Sequence, residues 1–170
     1  TVILHKSNPV KALSNEQIIA IYTGQIRNWK AVGGKDLPIT VVNKAEGRST
    51  LELFLQYFKL KAPEVKAQVV IGDNQQGIKT VAGNPGAIGY VSIGTAEYEA
   101  EDGTPIKLLP IQGVAATVAN VRNRSFPLSR PLNFVTKAPA TGLSKRFLDF
   151  AQSREVYDLI QDQFFVPVAH

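Results

Sequence analysis

The sequence predicts an α/β protein built on a largely parallel sheet, and three observations carry that expectation. Ile39–Val42 is a β-branched run without polar alternation, as a strand covered on both faces requires. A helical stripe follows, with Leu51, Phe54, Leu55 and Phe58 at i, i+3, i+4 and i+7. From residue 39 to residue 92 the pattern reads strand, helix, strand, helix, strand, the alternation that parallel strands joined by crossovers produce.

Thr1–Lys6 reads as a buried strand ended by Ser7-Asn8-Pro9. Ser14 and Gln17 have the spacing of a capping box, and Leu13 and Ile18 that of a hydrophobic staple, so a helix is expected from about Asn15 to Thr23, stopped by Gly24. Ile26–Trp29 leads through the Gly33-Gly34 turn to Leu37-Pro38, a hinge or crossing point with Trp29 as its apolar anchor. The next helix spans about Thr50–Lys59, and Val69–Ile71 is a short strand. Gly72-Asp73-Asn74 opens a helix near Gln75–Ala82, and Gly83-Asn84-Pro85-Gly86 turns the chain into Ala87–Ser92. Gly86 and Gly89 are turn and close-packing glycines. Glu97–Gly103 reads as an acidic surface turn, Ile106–Val114 and Val118–Val121 as β-like stretches, and Arg124–Pro131 as a return crossing. Leu132–Thr136 is expected to be a strand, and Leu143–Ala151 and Glu155–Gln163 two closing helices before Phe165–Val168.

Composition removes several function classes. Of 170 residues, 44% are hydrophobic and 19% charged, which excludes disorder and coiled coil. Apolar runs such as Ile18–Ile21 fall far short of the ~20 residues of a membrane span, so no direct membrane insertion is expected. Basic residues outnumber acidic ones by 19 to 14, which favours anionic ligands. They are scattered rather than interleaved with aromatics, so no nucleic-acid partner is expected. The absence of cysteine removes disulfides, thiolate metal sites and Cys nucleophiles. With no Met and a start inside an apolar run, the chain reads as processed or excised from something longer, any signal peptide being absent from it. Its two histidines, His5 and His170, lie at the extreme ends, and neither a metal-ligand spacing nor a HExxH, Walker or GxGxxG pattern occurs. No enzyme, cofactor or metal is therefore expected.

The stretch ITVVNKAEGRSTLELF, residues 39–54, has the layout of an anion site: a strand, a short basic turn with Gly47, and a helix opened by Ser49 and Thr50. The first N–H groups of a helix lack internal partners and carry partial positive charge, and Lys44 and Arg48 would add full charge beside them. Two readings stand side by side. Ser49 with Glu52 also has capping-box spacing, which needs no ligand, and Lys44 and Arg48 could be solvated surface charges or pair with Glu46. Asp73 and Asn74 are expected to cap their helix, or to line a cleft at the carboxyl ends of the strands, where Asp73 could accept from a protonated anion.

With these residues in view, the chain resembles the periplasmic phosphate-binding proteins of ABC importers, a substrate-binding family with a two-lobed, type II fold. The resemblance runs from NPVKALSNEQIIAIYTGQIRNWKAVGGKDLPITVV through GNPGAIGYVSI to PLSRPLNFVTK and the closing LDFAQSREVYDLI. It implies a cleft that closes on inorganic phosphate or a related tetrahedral oxyanion, non-catalytic import through a membrane permease, and a periplasmic or cell-surface location. In the family this turn typically carries Arg-x-x-Gly-Ser-Gly-Thr, so Thr50 matches outright, Gly47 keeps the first glycine, Lys44 stands where Arg is common, and Arg48-Ser49 replaces Ser-Gly. The resemblance further implies a complete second lobe at residues 36–127 and a partial first lobe made of residues 1–35 and 128–170. An incomplete lobe would expose apolar surface and strand edges and invite dimerisation or domain swapping. The altered turn and partial lobe also suit an alternative, a binding-protein-like sensor or interaction module that has lost transport.

Overall fold

Strands that are apolar on both faces must be covered from both sides, and that requirement sets the architecture. The computed structural model describes residues 1–167; Val168, the last residue of the expected closing segment, lies with Ala169 and His170 outside the described residues. Five strands, β1 (Val2–His5), β2 (Thr40–Lys44), β3 (Val69–Ile71), β4 (Ala87–Tyr90) and β5 (Ile106–Leu108), form one sheet in the order β3-β2-β4-β1-β5. As expected, β2 runs parallel to β3 and to β4. By contrast β1 is antiparallel to both its neighbours, β4 and β5, so the sheet is mixed.

The pleat sends successive side chains to opposite faces. Val2 and Leu4, Val41, and Ile88 and Tyr90 enter one core with Ile18, Ile21 and Tyr22 of α1 (Asn15–Tyr22) and Leu51, Phe54 and Phe58 of α2 (Ser49–Phe58). Ile3, Val42, Ala87 and Val91 enter the other with Ile78 and Val81 of α3 (Asn74–Ala82) and Ala96 of α4 (Ile93–Glu101). The crossover from β2 to β3 therefore covers one face and the crossover from β3 to β4 the other. The α1 capping box is formed, with Gln17 N–H donating to Ser14 Oγ at 3.2 Å and Ser14 N–H donating to Gln17 Oε1 at 2.9 Å.

Trp29 is fully buried and donates through Nε1 to the Gly86 carbonyl at 2.9 Å. Gly86 is a close-packing glycine: a Cβ there would meet the Pro38 carbonyl oxygen at 2.6 Å. The chain divides into two compact units, Thr1–Ser129 and Arg130–His170. The expected grouping of residues 1–35 with 128–170 is not how these units fall, because β1 sits inside the sheet between β4 and β5. Leu37-Pro38 is thus a link within the first unit, not a boundary between units.

Four other expectations are corrected. Glu97–Gly103 is mostly helical: α4 runs to Glu101, buried through Ile93 and Ala96, and only Asp102-Gly103 turns. Of Ile106–Val114 only Ile106–Leu108 forms a strand, since Pro110 has no N–H for the ladder. Val118–Val121 lies in a short helix, α5 (Val118–Arg122), because Thr117 Oγ1 accepts from Asn120 N–H at 3.1 Å and caps its first turn. Leu132–Thr136 has no partner strand, and its β-branched and apolar residues stay irregular.

The second unit contains α6 (Gly142–Ala151) and α7 (Tyr157–Asp162). The rings of Phe134 and Phe147 meet edge to face at 6.4 Å, and Lys145 pairs with Asp149 at 2.7 Å along α6. Leu143, Phe147 and Phe150 form an exposed apolar stripe on that helix. Among the described residues no helix is long and apolar enough to cross a membrane.

Phe54 connects the first core to the end of β2. It stacks on Tyr90 at 4.1 Å with the rings 10° apart, and it also meets Tyr22 at 4.6 Å and Phe58 at 4.7 Å. Phe54→Ala is expected to destabilise the protein by about 3–5 kcal/mol in urea unfolding, since it empties a fully packed site. A loss under about 1 kcal/mol would mean that the stack collapses without cost.

Candidate functional site

A sheet order that reverses beside one strand leaves a crevice at the carboxyl ends of the strands on either side of the reversal. Here the chain passes from β2 outward to β3 and then back across to β4, so the crevice lies beyond Lys44 and Tyr90. Three helices begin at this edge: α2 after β2, α3 after β3 and α4 after β4. Their N-terminal N–H groups and dipoles give the edge positive character before any side chain is counted.

The β2–α2 turn uses its glycine as the sequence implies, with Gly47 in the left-handed region at φ +77°. The helix start differs from the expected capping box. Arg48, not Ser49, is the N-cap, and no side chain caps the helix. The Arg48 carbonyl accepts from Leu51 N–H at 3.0 Å and Glu52 N–H at 3.2 Å, which leaves the N–H groups of Ser49 and Thr50 ahead of the first helical bonds. Ser49 is exposed and Thr50 half-buried. The exposed Arg48 guanidinium reaches across to the β3–α3 turn, where Nη2 lies 3.7 Å from the place a Cβ on Gly72 would occupy. Glu46 makes no ion pair with either cation; among the described residues no carboxylate comes within 4.0 Å of Lys44 Nζ or the Arg48 guanidinium.

Lys44 is not a solvated surface charge: the residue is 3% exposed. Its Nζ donates to Asn74 Oδ1 at 2.9 Å, a neutral acceptor. Its backbone N–H donates to the Tyr90 hydroxyl at 3.3 Å, and that hydroxyl donates to Asn43 Oδ1 at 2.6 Å, so the ring stacked on Phe54 also fixes the end of β2. Burial pushes the Tyr90 hydroxyl well above its ordinary value. Burial lowers the Lys44 ammonium to about 8; Asp73 acts against that shift and Arg48 adds to it.

Asp73 is the cap of α3, with Oδ1 accepting from Gln76 N–H at 2.8 Å. Asn74 does something else. Besides Lys44, it holds Ser92 at the start of α4: Nδ2 donates to Ser92 Oγ at 2.9 Å, and Ser92 N–H donates to Oδ1 at 3.4 Å. Ser92, which the sequence pattern places at the end of the Ala87–Ser92 strand, is the N-cap residue of α4, and neither it nor Asn43 nor Tyr90 is among the sequence-predicted site residues. A Ser directly after an apolar strand is an N-cap signal, and it was the available clue. The structure thus brings Lys44, Arg48, Ser49, Thr50, Asp73 and Asn74 to one edge. Among the described residues no group of three or more His, Cys, Asp or Glu side chains could hold a metal ion.

Such an arrangement offers two cations, free helical N–H groups and hydroxyls, and no neutralising carboxylate at contact distance, which is the chemistry of an anion receptor. The ammonium also has a thermodynamic signature. Its folded value near 8 lies below the ordinary 10.5, so between those values the unfolded chain holds a proton that the folded chain lacks. This group therefore makes stability rise with pH across that window, and below it the folded state carries the full cost of the buried charge. Lys44→Met is expected to melt higher than the parent at pH 7 and to lose that rise between pH 8 and 10.5. A lower melting temperature at pH 7 would show that the ammonium is already compensated.

Residues 1–155 match the family model described as a PBP superfamily domain. The phosphate-binding protein PstS of Bacillus subtilis is 34% identical over 160 residues, which are 94% of this chain and 51% of that protein. A protein of Clostridium perfringens, assigned as a phosphate ABC transporter substrate-binding protein and solved with bound phosphate, superposes with a TM-score of 0.81 at 35% identity, over 99% of this chain and 68% of its own. An ABC-type phosphate transport receptor from Vibrio cholerae superposes with a TM-score of 0.76 at 30% identity, over 96% of this chain and 66% of its own. The chain spans about half the length of the curated relatives it matches.

Proposed function

The chain belongs to the PBP superfamily, and from that premise we propose that it forms part of the substrate-binding protein of an ABC-type importer, holding inorganic phosphate or a related tetrahedral oxyanion without converting it. One observation carries the reading: a buried ammonium matched only to a neutral amide, at the point where the sheet order reverses. An oxyanion would supply the missing negative charge to Lys44, take the fork of Arg48 with two oxygens, and accept from the N–H and hydroxyl groups of Ser49 and Thr50. Asp73, at the margin of the site, would accept from a protonated oxyanion and so favour phosphate over sulfate. In this reading Thr1–Ser129 serves as one lobe of a two-lobed receptor.

The relatives' names support phosphate as the ligand and ABC-type transport as its setting; delivery to a membrane permease from the periplasm or cell surface is part of the same proposal. They do not favour the alternative of a sensor or interaction module without transport. Calorimetry on ligand-stripped protein with phosphate, arsenate, sulfate and molybdate tests the proposal. Heat is expected with phosphate and arsenate, with affinity reduced about tenfold or more in Arg48→Ala and Thr50→Ala. A silent titration against all four anions would contradict it.

A further inference from the structure

Asn74 stands at the first position of α3, yet it leaves the capping of that helix to Asp73. Its side chain reaches the ends of two other elements, meeting Lys44 Nζ on β2 at 2.9 Å and Ser92 Oγ before α4 at 2.9 Å. An ammonium can only donate, so the atom facing Lys44 is the amide oxygen, and the amide nitrogen is left for the serine hydroxyl. This fixes which way the amide points. The hydroxyl held in this way does not cap α4, which has no side-chain cap of its own. An aspartate of the same shape could also accept from Lys44, but it would neutralise the ammonium. An amide holds it and leaves its charge in place.

We propose that Asn74 is a positioning residue for the oxyanion: its carboxamide pins the Lys44 ammonium to the start of α4 while keeping the positive charge available to the ligand. The inference rests on the oxyanion reading of the site. The charged and titratable groups around Lys44 are Asp73 from the α3 start, Arg48 from the turn before α2, the Thr1 amino group, and the Tyr90 hydroxyl that accepts from its backbone N–H.

The test compares ligand-stripped parent protein with Asn74→Asp and Asn74→Ala, using inorganic phosphate as the probe. Both variants are expected to keep a cooperative melt and to bind about tenfold or more weakly at pH 7. A pH series separates positioning from plain structural support, because phosphate's own ionisation is common to all three proteins. The parent is expected to lose affinity above about pH 8, as Lys44 deprotonates. Asn74→Asp places a carboxylate beside the ammonium and should move that loss upward by about one pH unit. Equal affinity and an unmoved profile in Asn74→Asp would overturn the proposal. If the parent gives no heat with phosphate, the oxyanion reading falls and the positioning role falls with it; an NMR titration of Lys44 Nζ without anion then tests only the Asn74–Lys44 contact, which an upward move in Asn74→Asp supports and no move overturns.

Discussion

Taking an ammonium out of water costs free energy that only close negative charge or several good acceptors can offset. Lys44 is taken out of water and given one neutral acceptor, and this constraint organises the edge of the sheet around it. Its position is not incidental. It ends the strand beside which the order reverses, where three helix N-termini converge and the backbone already presents donors. Adding Arg48 to the same edge raises the cost further, since its charge disfavours the Lys44 ammonium. A folded protein that keeps such a pair with no carboxylate at contact distance, Asp73 acting only from further off, holds an electrostatic deficit that a bound anion would remove.

What keeps the deficit in place is the apolar machinery beneath it. Phe54 lies between Tyr22, Phe58 and Tyr90, so the helix that carries Ser49 and Thr50 is locked to the strand that carries Tyr90. The Tyr90 hydroxyl in turn binds Asn43 and the backbone of Lys44. Core packing and site geometry are therefore one structure: a shift of α2 against the sheet would move the helical N–H groups relative to the ammonium. On the opposite face, α3 and α4 are tied at their starts by Asn74 and Ser92. The site is held from both layers, which suits a receptor whose donors must converge on one small ligand.

Much of this was legible in the sequence, for physical reasons. Strands β2, β3 and β4 announced themselves as apolar runs, and α2 as a stripe of 3.6-residue period, because burial on two faces and on one face leave different patterns. The basic turn was visible since Lys44, Gly47 and Arg48 stand next to each other in the chain. The burial of Lys44 was not legible, because it depends on neighbours 30 and 46 residues away, Asn74 and Tyr90. Nor was the pairing of β1, since its partners β4 and β5 lie far along the chain and its own residues say only that it is buried. Thr117 and Ser92 show the same limit at short range: a cap is recognised only when the helix after it is, and Val118–Val121 and Ile93–Glu101 lack the clean stripe of α2.

The central claim is that an oxyanion completes the charge of a buried lysine at the switch point of the sheet. A crystal structure of the protein grown in phosphate tests it most directly. The account predicts tetrahedral density within hydrogen-bond distance of Lys44 Nζ, with further contacts from Arg48 and the N–H groups of Ser49 and Thr50. Phosphate bound elsewhere, or a Lys44 ammonium found against a carboxylate with no anion beside it, would contradict it.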